Sequence, residues 1–193
     1  MKGVRPLNQE EVKRVIQTFD DNKYAQRDKN LFILGLKTGM RISELLSLTV
    51  GDVWQYDQPV DMLSLRKQVV KGKKEARAIP LNKDAKNAIR ELKEWLSTQV
   101  VDLTQDTPLF ASQKGGHITR MQAHRILNRA FKKAGLTGKL ATHSMRKTFG
   151  TRVYSATKDI MTTKELLGHA NVNTTQKYIG VGMDALKAAV DAI

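Results

Sequence analysis

Six residues far apart in the sequence have types and spacings that could do chemistry together. Arg41 follows the glycine of Thr38-Gly39-Met40, and Glu44 comes three residues later, on the same helical face. Lys71 opens the stretch Lys71-Gly72-Lys73-Lys74-Glu75. In Thr142-His143-Ser144-Met145-Arg146, the histidine and the arginine are three apart and share a helix face or its entrance. Leu167-Gly168-His169 sets a histidine just past a helix-ending glycine, and Tyr178 follows nine positions on. Each has an ordinary explanation taken singly. Arg41 and Glu44 would form a surface ion pair worth little, Lys71 would sit in a solvated loop, His143 would cap a helix, and Tyr178 would be a half-buried core phenol.

The set as a whole suits one reaction, attack of a tyrosine hydroxyl on a phosphodiester. The pentacoordinate transition state gathers negative charge on its non-bridging oxygens. Two guanidiniums clamp those oxygens with paired donors, better than the point charge of a lysine, and a histidine adds a further donor. A phenol with a pKa near 10 needs a base or a strong positive field to attack at neutral pH. The leaving 5′-oxygen needs a proton, which a groove-inserted lysine can supply. This chemistry requires no metal, and the sequence offers no acidic ligand cluster for one.

Composition agrees with a polyanionic partner. Thirty-three Lys+Arg against nineteen Asp+Glu give a net charge of +14 and a pI near 10.0 in 193 residues. Aromatic content of 6% disfavours base stacking on aromatic platforms and favours contacts to the phosphate backbone. Hydrophobic content of 40% and charged content of 27% are those of an ordinary globular domain. The sequence has no apolar run long enough to span a membrane and no signal-peptide core at its start. It has no cysteine, hence no disulfide framework and no thiolate metal site, which permits a reducing cytoplasm.

The elements that must position these residues read as mostly helical. Asn8 with Glu11 has capping-box spacing and opens a helix with Val12, Val15, Ile16 and Phe19 on one face. Residues 27–37 are apolar nearly all round, as in a buried helix, and Gly39 would close it. Further helical patterns cover 43–48, 85–96, 119–134, 144–156, 163–168, 173–178 and 181–192. Between 51 and 81 short β-rich runs surround the Lys71–Glu75 stretch, which fits a hairpin tip. The expected fold is α+β and mostly helical, with a small three-stranded antiparallel sheet on one side. Asn173-Thr174-Thr175 is expected to cap the short helix that carries Tyr178.

The ordered set Arg-x-x-Glu-Leu, hairpin Lys-Gly, His-x-x-Arg, Leu-Gly-His and the tyrosine nine residues beyond resembles the tyrosine recombinase (phage integrase) family. The likeness runs from about residue 8 to 180, essentially the family's catalytic domain, and the combined pattern is far more specific than any one part. The resemblance implies the following roles. Arg41 and Arg146 would bind the scissile phosphate, and Lys71 would protonate the 5′-oxygen. His143 would assist proton transfer at the tyrosine, and His169 would hydrogen-bond a non-bridging oxygen. Tyr178 would form a 3′-phosphotyrosyl link, with Glu44 holding Arg41. It implies no cofactor, double-stranded DNA as partner, a tetrameric synapse on two DNA sites with a monomer possible off DNA, and a cytoplasmic, DNA-associated location. Met145-Arg146-Lys147-Thr148 stands where family members often carry Leu-Arg-His-Thr. The hairpin is about one residue longer than common versions, which keeps Lys73 open as the acid.

The expected domain is 1–180, with 181–193 as a C-terminal helix or tail that docks on its own domain or on a neighbouring protomer. The family's usual N-terminal DNA-clamping domain is expected to be absent from this chain. Candidate DNA contacts are Lys73, Lys74, Arg120, Arg125, Lys132 and Lys147, with Gln122 on the same helix as Arg120, although a solvated loop accounts for Lys73 and Lys74 on their own. Two rival readings remain: a nicking-closing enzyme like the type IB topoisomerases, and a catalytically silent DNA-binding module.

Overall fold

The computed structural model describes residues 3–19, 22–65, 77–179 and 190–191. Lys71, Lys73, Lys74 and the expected hairpin tip lie outside these residues, as does nearly all of the expected tail.

Nine helices are present among the described residues: α1 (Gln9–Ile16), α2 (Ala25–Thr38), α3 (Ile42–Leu46), α4 (Val50–Val53), α5 (Lys83–Gln99), α6 (Arg120–Lys133), α7 (Thr142–Thr157), α8 (Ile160–Leu167) and α9 (Val172–Ile179). Six short strands accompany them: β1 (Trp54–Gln55), β2 (Gln58–Pro59), β3 (Met62–Leu65), β4 (Arg77–Pro80), β5 (Ala111–Ser112) and β6 (Gly115–His117). Helix α1 starts as its sequence dictates. Asn8 Oδ1 accepts the Glu11 N–H at 2.8 Å, and the Glu11 carboxylate accepts the Asn8 N–H at 2.9 Å.

Helix α2 explains its own apolar circumference, because it is shared between two cores. Leu31 and Leu34 join one core with α5, β3 and β4, where Ile89, Leu92, Leu63 and Ile79 are buried. Phe32 and Leu36 join the other with α1, α6 and α7, where Val15, Leu127, Phe131 and Met145 are buried. A helix packed on two faces needs apolar residues all round. Met145 packs so close to Gly35 that a Cβ there would fall 2.7 Å from its sulfur.

The strands differ from the single three-stranded sheet expected. Among the described residues they form three separate two-stranded antiparallel ladders, β1–β2, β3–β4 and β5–β6. Helix α4 occupies residues expected to begin a strand, so β1 starts only at Trp54. It turns back through Tyr56 and Asp57, whose φ values of 48° and 57° suit a tight type I′ hairpin that leaves two residues per strand. In β3–β4, Leu63, Leu65, Arg77 and Ile79 all point inward. The β5–β6 hairpin was not expected, since Gly115 and Gly116 carry little strand signal. Helices α8 and α9 pack on α7 and on each other, and this trio brings the carboxy-terminal motifs together. Among the described residues no helix is long and apolar enough to cross a membrane.

Candidate active site

The site begins where α2 ends. Gly39 adopts a left-handed conformation (φ 60°), which releases the chain into Met40 and Arg41. Arg41 is the N-cap of α3, and Glu44 turns back on it. The Glu44 carboxylate accepts the Arg41 backbone N–H at 2.8 Å and its Nη1 at 2.6 Å. Glu44 is only 1% exposed, so its charge depends on these partners. Arg41 keeps a side chain 38% exposed and is held by one edge of its fork.

Arg146, on α7, is 2% exposed and ties two helix ends together. Its Nη1 donates to the Gly39 carbonyl and its Nη2 to the Leu167 carbonyl, both at 2.6 Å. Carbonyls at helix C-termini carry partial negative charge, so a buried cation is well placed there. Its Nε has no hydrogen-bond partner among the described residues.

A third guanidinium joins from the strand side. Arg77 opens β4 opposite Leu65, on the inward face, and is buried. Its Nη2 donates to the Leu166 carbonyl, and Nη1 stands 3.8 Å from the Glu44 carboxylate. Nε and Nη1 make no hydrogen bond among the described residues. Burial first, then the charge of Arg146, pulls its pKa down to about 10, which still leaves it cationic at neutral pH. Three arginines thus surround one carboxylate, and buried donors remain unused. That arrangement fits an anion.

Gly168, also left-handed (φ 63°), ends α8 and turns His169 into this cluster. A Cβ at Gly168 would lie 2.7 Å from Arg77 Cδ, so glycine is required twice, by conformation and by close approach. His169 is buried, and its Nδ1 meets Thr175 Oγ1 at 2.9 Å. Burial, then the charges of Arg146, Arg41, Arg77 and His143, pushes the His169 pKa down to about 4. The ring is therefore neutral at pH 7.

Tyr178, half-buried on α9, lies between the two histidines. Its hydroxyl hydrogen-bonds His143 Nε2. Its ring stands edge-on to both imidazoles, with centroids 5.3 Å from His143 and 4.9 Å from His169. His143 is exposed at the start of α7, yet desolvation of its ring still leads the causes that lower its pKa, followed by Arg146, Arg41 and Lys147. A neutral imidazole hydrogen-bonded to a phenol is placed to take its proton. The Tyr178 hydroxyl also touches the electrostatics of Arg146, whose pKa it raises against the larger lowering by burial and by Arg41.

Arg41, Glu44, His143, Arg146, His169 and Tyr178, singled out from sequence, are thus in one place. Arg120, Arg125 and Lys132 are exposed on α6, a helix that packs on α3 and α7, and no hydrogen bond or ion pair among the described residues joins them to this constellation. Gln122 is occupied as the reciprocal partner of the Thr119 cap. Lys147 donates to the Val4 carbonyl at 3.2 Å and tethers the N-terminal segment. The expected cap of α9 is corrected. Asn173, Thr174 and Thr175 lie inside the helix, and Asn171 upstream accepts the Asn173 N–H through its side chain at 2.8 Å. Sequence reasoning missed Arg77 and Thr175. Arg77 was detectable, because it falls in the same alternation as inward-facing Ile79. Thr175 gave no signal beyond its helix position.

Comparison with known proteins places this geometry among relatives. The model of the Phage integrase family matches residues 5–184. The probable integrase/recombinase YoeC of Bacillus subtilis is 33% identical over 190 residues, covering 98% of this chain and 96% of YoeC. Tyrosine recombinase XerD of Oceanobacillus iheyensis is 31% identical over 182 residues, covering 94% of this chain and 59% of XerD. The crystal structure of XerH site-specific recombinase bound to difH substrate, a pre-cleavage complex, superimposes with a TM-score of 0.77 at 27% identity, over 98% of this chain and 55% of that one. The chain therefore spans less than two thirds of XerD and XerH, and nearly all of YoeC.

Proposed function

The chain belongs to the phage integrase family, and from that premise we propose that it is the catalytic domain of a site-specific DNA recombinase. The observation that carries the proposal is the Tyr178 hydroxyl bonded to a neutral His143 beside the buried, half-satisfied Arg146.

In the proposed reaction, Arg41 and Arg146 bind the non-bridging oxygens of the scissile phosphate, and His169 donates a further hydrogen bond. The Tyr178 oxygen attacks phosphorus while its proton passes to His143. A P–O bond to the tyrosine forms as the bond to the 5′-oxygen breaks, and Lys71 supplies the proton that leaves a 5′-hydroxyl. The product is a 3′-phosphotyrosyl enzyme that keeps the energy of the broken bond. Attack by a different 5′-hydroxyl reverses the proton transfers and rejoins the DNA. Side-chain cations supply the charge stabilisation, and the proposal assigns no cofactor.

Double-stranded DNA is the proposed partner, in keeping with the net charge of +14 and with the DNA complex formed by XerH. The exposed Arg120, Arg125 and Lys132 on α6 give it a basic edge. Strand exchange would take place in a tetrameric synapse on two sites, with a monomer possible off DNA and the protein located with the cell's DNA in the cytoplasm. Binding by the isolated domain is expected to be weak and to fall steeply with salt.

The test is covalent selection from a library of nicked duplexes of random sequence. Denaturation removes everything not bonded to protein, and recovered DNA is sequenced. Enrichment of a defined site, followed by exchange between two copies of it, supports the recombinase. Relaxation of supercoiled plasmid without exchange at that site would favour a topoisomerase-like enzyme, and failure to recover any DNA would favour a silent binding module.

A further inference from the structure

His169 Nδ1 and Thr175 Oγ1 are 2.9 Å apart, and both residues are buried. Either atom could carry the shared hydrogen. Five other helical threonines of this protein indicate which one does. Thr38, Thr148, Thr151, Thr157 and Thr163 each donate their hydroxyl to the carbonyl four residues earlier. That back-bond is a common resting place for a threonine hydroxyl on a helix. Thr175 also lies on a helix, but among the described residues its hydroxyl has His169 as its partner and makes no back-bond. Its hydrogen is free to go to the imidazole.

We propose that Thr175 is a positioning residue: its hydroxyl donates to Nδ1 of His169 and holds the ring's single hydrogen on Nε2, where it can be donated to a phosphate oxygen. This rests on the recombinase reading for the identity of the acceptor, but not for the state of the ring. A neutral imidazole has one N–H and one lone pair, and which nitrogen carries the hydrogen depends on its neighbours. Behind burial, and ahead of the smaller effect of His143, the charges that lower the His169 pKa are those of Arg146, Arg41 and Arg77, all obligate donors. On their own they would draw the lone pair towards themselves and leave nothing on Nε2 to donate. A donor on the opposite nitrogen reverses that preference.

The same bond ties His169 to the helix that carries the nucleophile. Tyr178 lies three residues beyond Thr175, on the same helix. His169 therefore has the donating tautomer only while α9 is docked. The phosphate donor and the nucleophile are prepared by one docking event.

The test compares wild-type protein with Thr175→Val, which keeps the volume and loses the hydroxyl, and with Thr175→Ser, which keeps the hydroxyl. Ring nitrogens are read by long-range 1H–15N spectra of protein labelled in histidine, with the His169 signals assigned by their loss in His169→Gln. Wild type and Thr175→Ser should show hydrogen on Nε2, and Thr175→Val should lose that preference. On the selected duplex, Thr175→Val should cleave about tenfold more slowly, the worth of one buried hydrogen bond, while Thr175→Ser stays within about twofold. In a His169→Gln background, Thr175→Val should add no further loss. The proposal is overturned by hydrogen on Nδ1 in the wild type, by an unchanged ring in Thr175→Val, or by a Thr175→Val defect that persists in full without His169. If the ring follows Thr175 but the wild type cleaves no duplex, the positioning role stands and the recombinase reading falls.

Discussion

Arg77→Met separates what this buried arginine does for the fold from what it does for the site. Lowering its pKa from 12.5 to about 10 means that its charged form is disfavoured by about 3 kcal/mol relative to water. Against this stands the charge-assisted bond to the Leu166 carbonyl, worth roughly 1.5–3 kcal/mol, while the 3.8 Å pairing with Glu44 already moderates the lowered pKa. The two sides nearly cancel. Methionine keeps an unbranched apolar stem against Gly168. Urea unfolding of Arg77→Met should therefore differ from wild type by no more than about 1–2 kcal/mol. Cleavage should respond differently. The substitution removes a cation from a cluster whose excess positive charge the proposed phosphate would match, and it frees the α8 end that presents His169. Single-turnover cleavage should fall at least tenfold, with Arg77→Lys intermediate because it keeps the charge without the fork. A loss of more than about 3 kcal/mol in stability would refute the cancellation. Cleavage within about twofold of wild type would refute the electrostatic role.

Gly39→Ala should destabilise the fold by about 2–4 kcal/mol in urea, because it forces a left-handed alanine whose Cβ would lie 2.2 Å from the Phe149 ring. Glu44→Gln should lower cleavage by loosening Arg41, and an Arg41→Lys substitution made on top of it should cost less than in the wild type. Stability should fall with acid through His169. Above its ordinary value of 6.5 the ring is neutral in both states and contributes nothing. Between 6.5 and about 4 only the unfolded chain takes the proton, so stability declines, and below that the loss saturates at no more than about 3 kcal/mol. Urea unfolding at about pH 7.5 and about pH 5 should show this decline in the wild type and a smaller one in His169→Gln.

The site was more legible in the sequence than the sheet was. Arg41, His143, Arg146, His169 and Tyr178 announce themselves through side-chain types that share one chemistry and through local spacings that helices keep. Gly39 and Gly168 marked helix ends correctly because a left-handed cap favours glycine. The ladders were harder. Two-residue strands at Trp54–Gln55 and Ala111–Ser112 carry no alternation to read, and their pairing depends on turns rather than on pattern. Arg77 was overlooked for a different reason. A charged residue in a strand suggests an exposed face even where alternation with Ile79 points it inward, and its partner at the α8 carboxy-terminus arrives only through the tertiary fold. Thr175 is of the same kind, since the direction of a hydroxyl is decided by a residue that reaches it only through the Gly168 turn.

The most direct test of the account is to identify the bond that joins protein to DNA. The covalent complex formed on the selected duplex is digested with trypsin, and the nucleotide-bearing peptide is sequenced by mass spectrometry. The released strand is labelled with kinase without prior phosphatase treatment. The expected result is a phosphodiester on Tyr178, a freely labelled 5′-hydroxyl, and no complex from Tyr178→Phe. A nucleotide on any other residue, a 5′-linked strand, or a complex that survives Tyr178→Phe would contradict it.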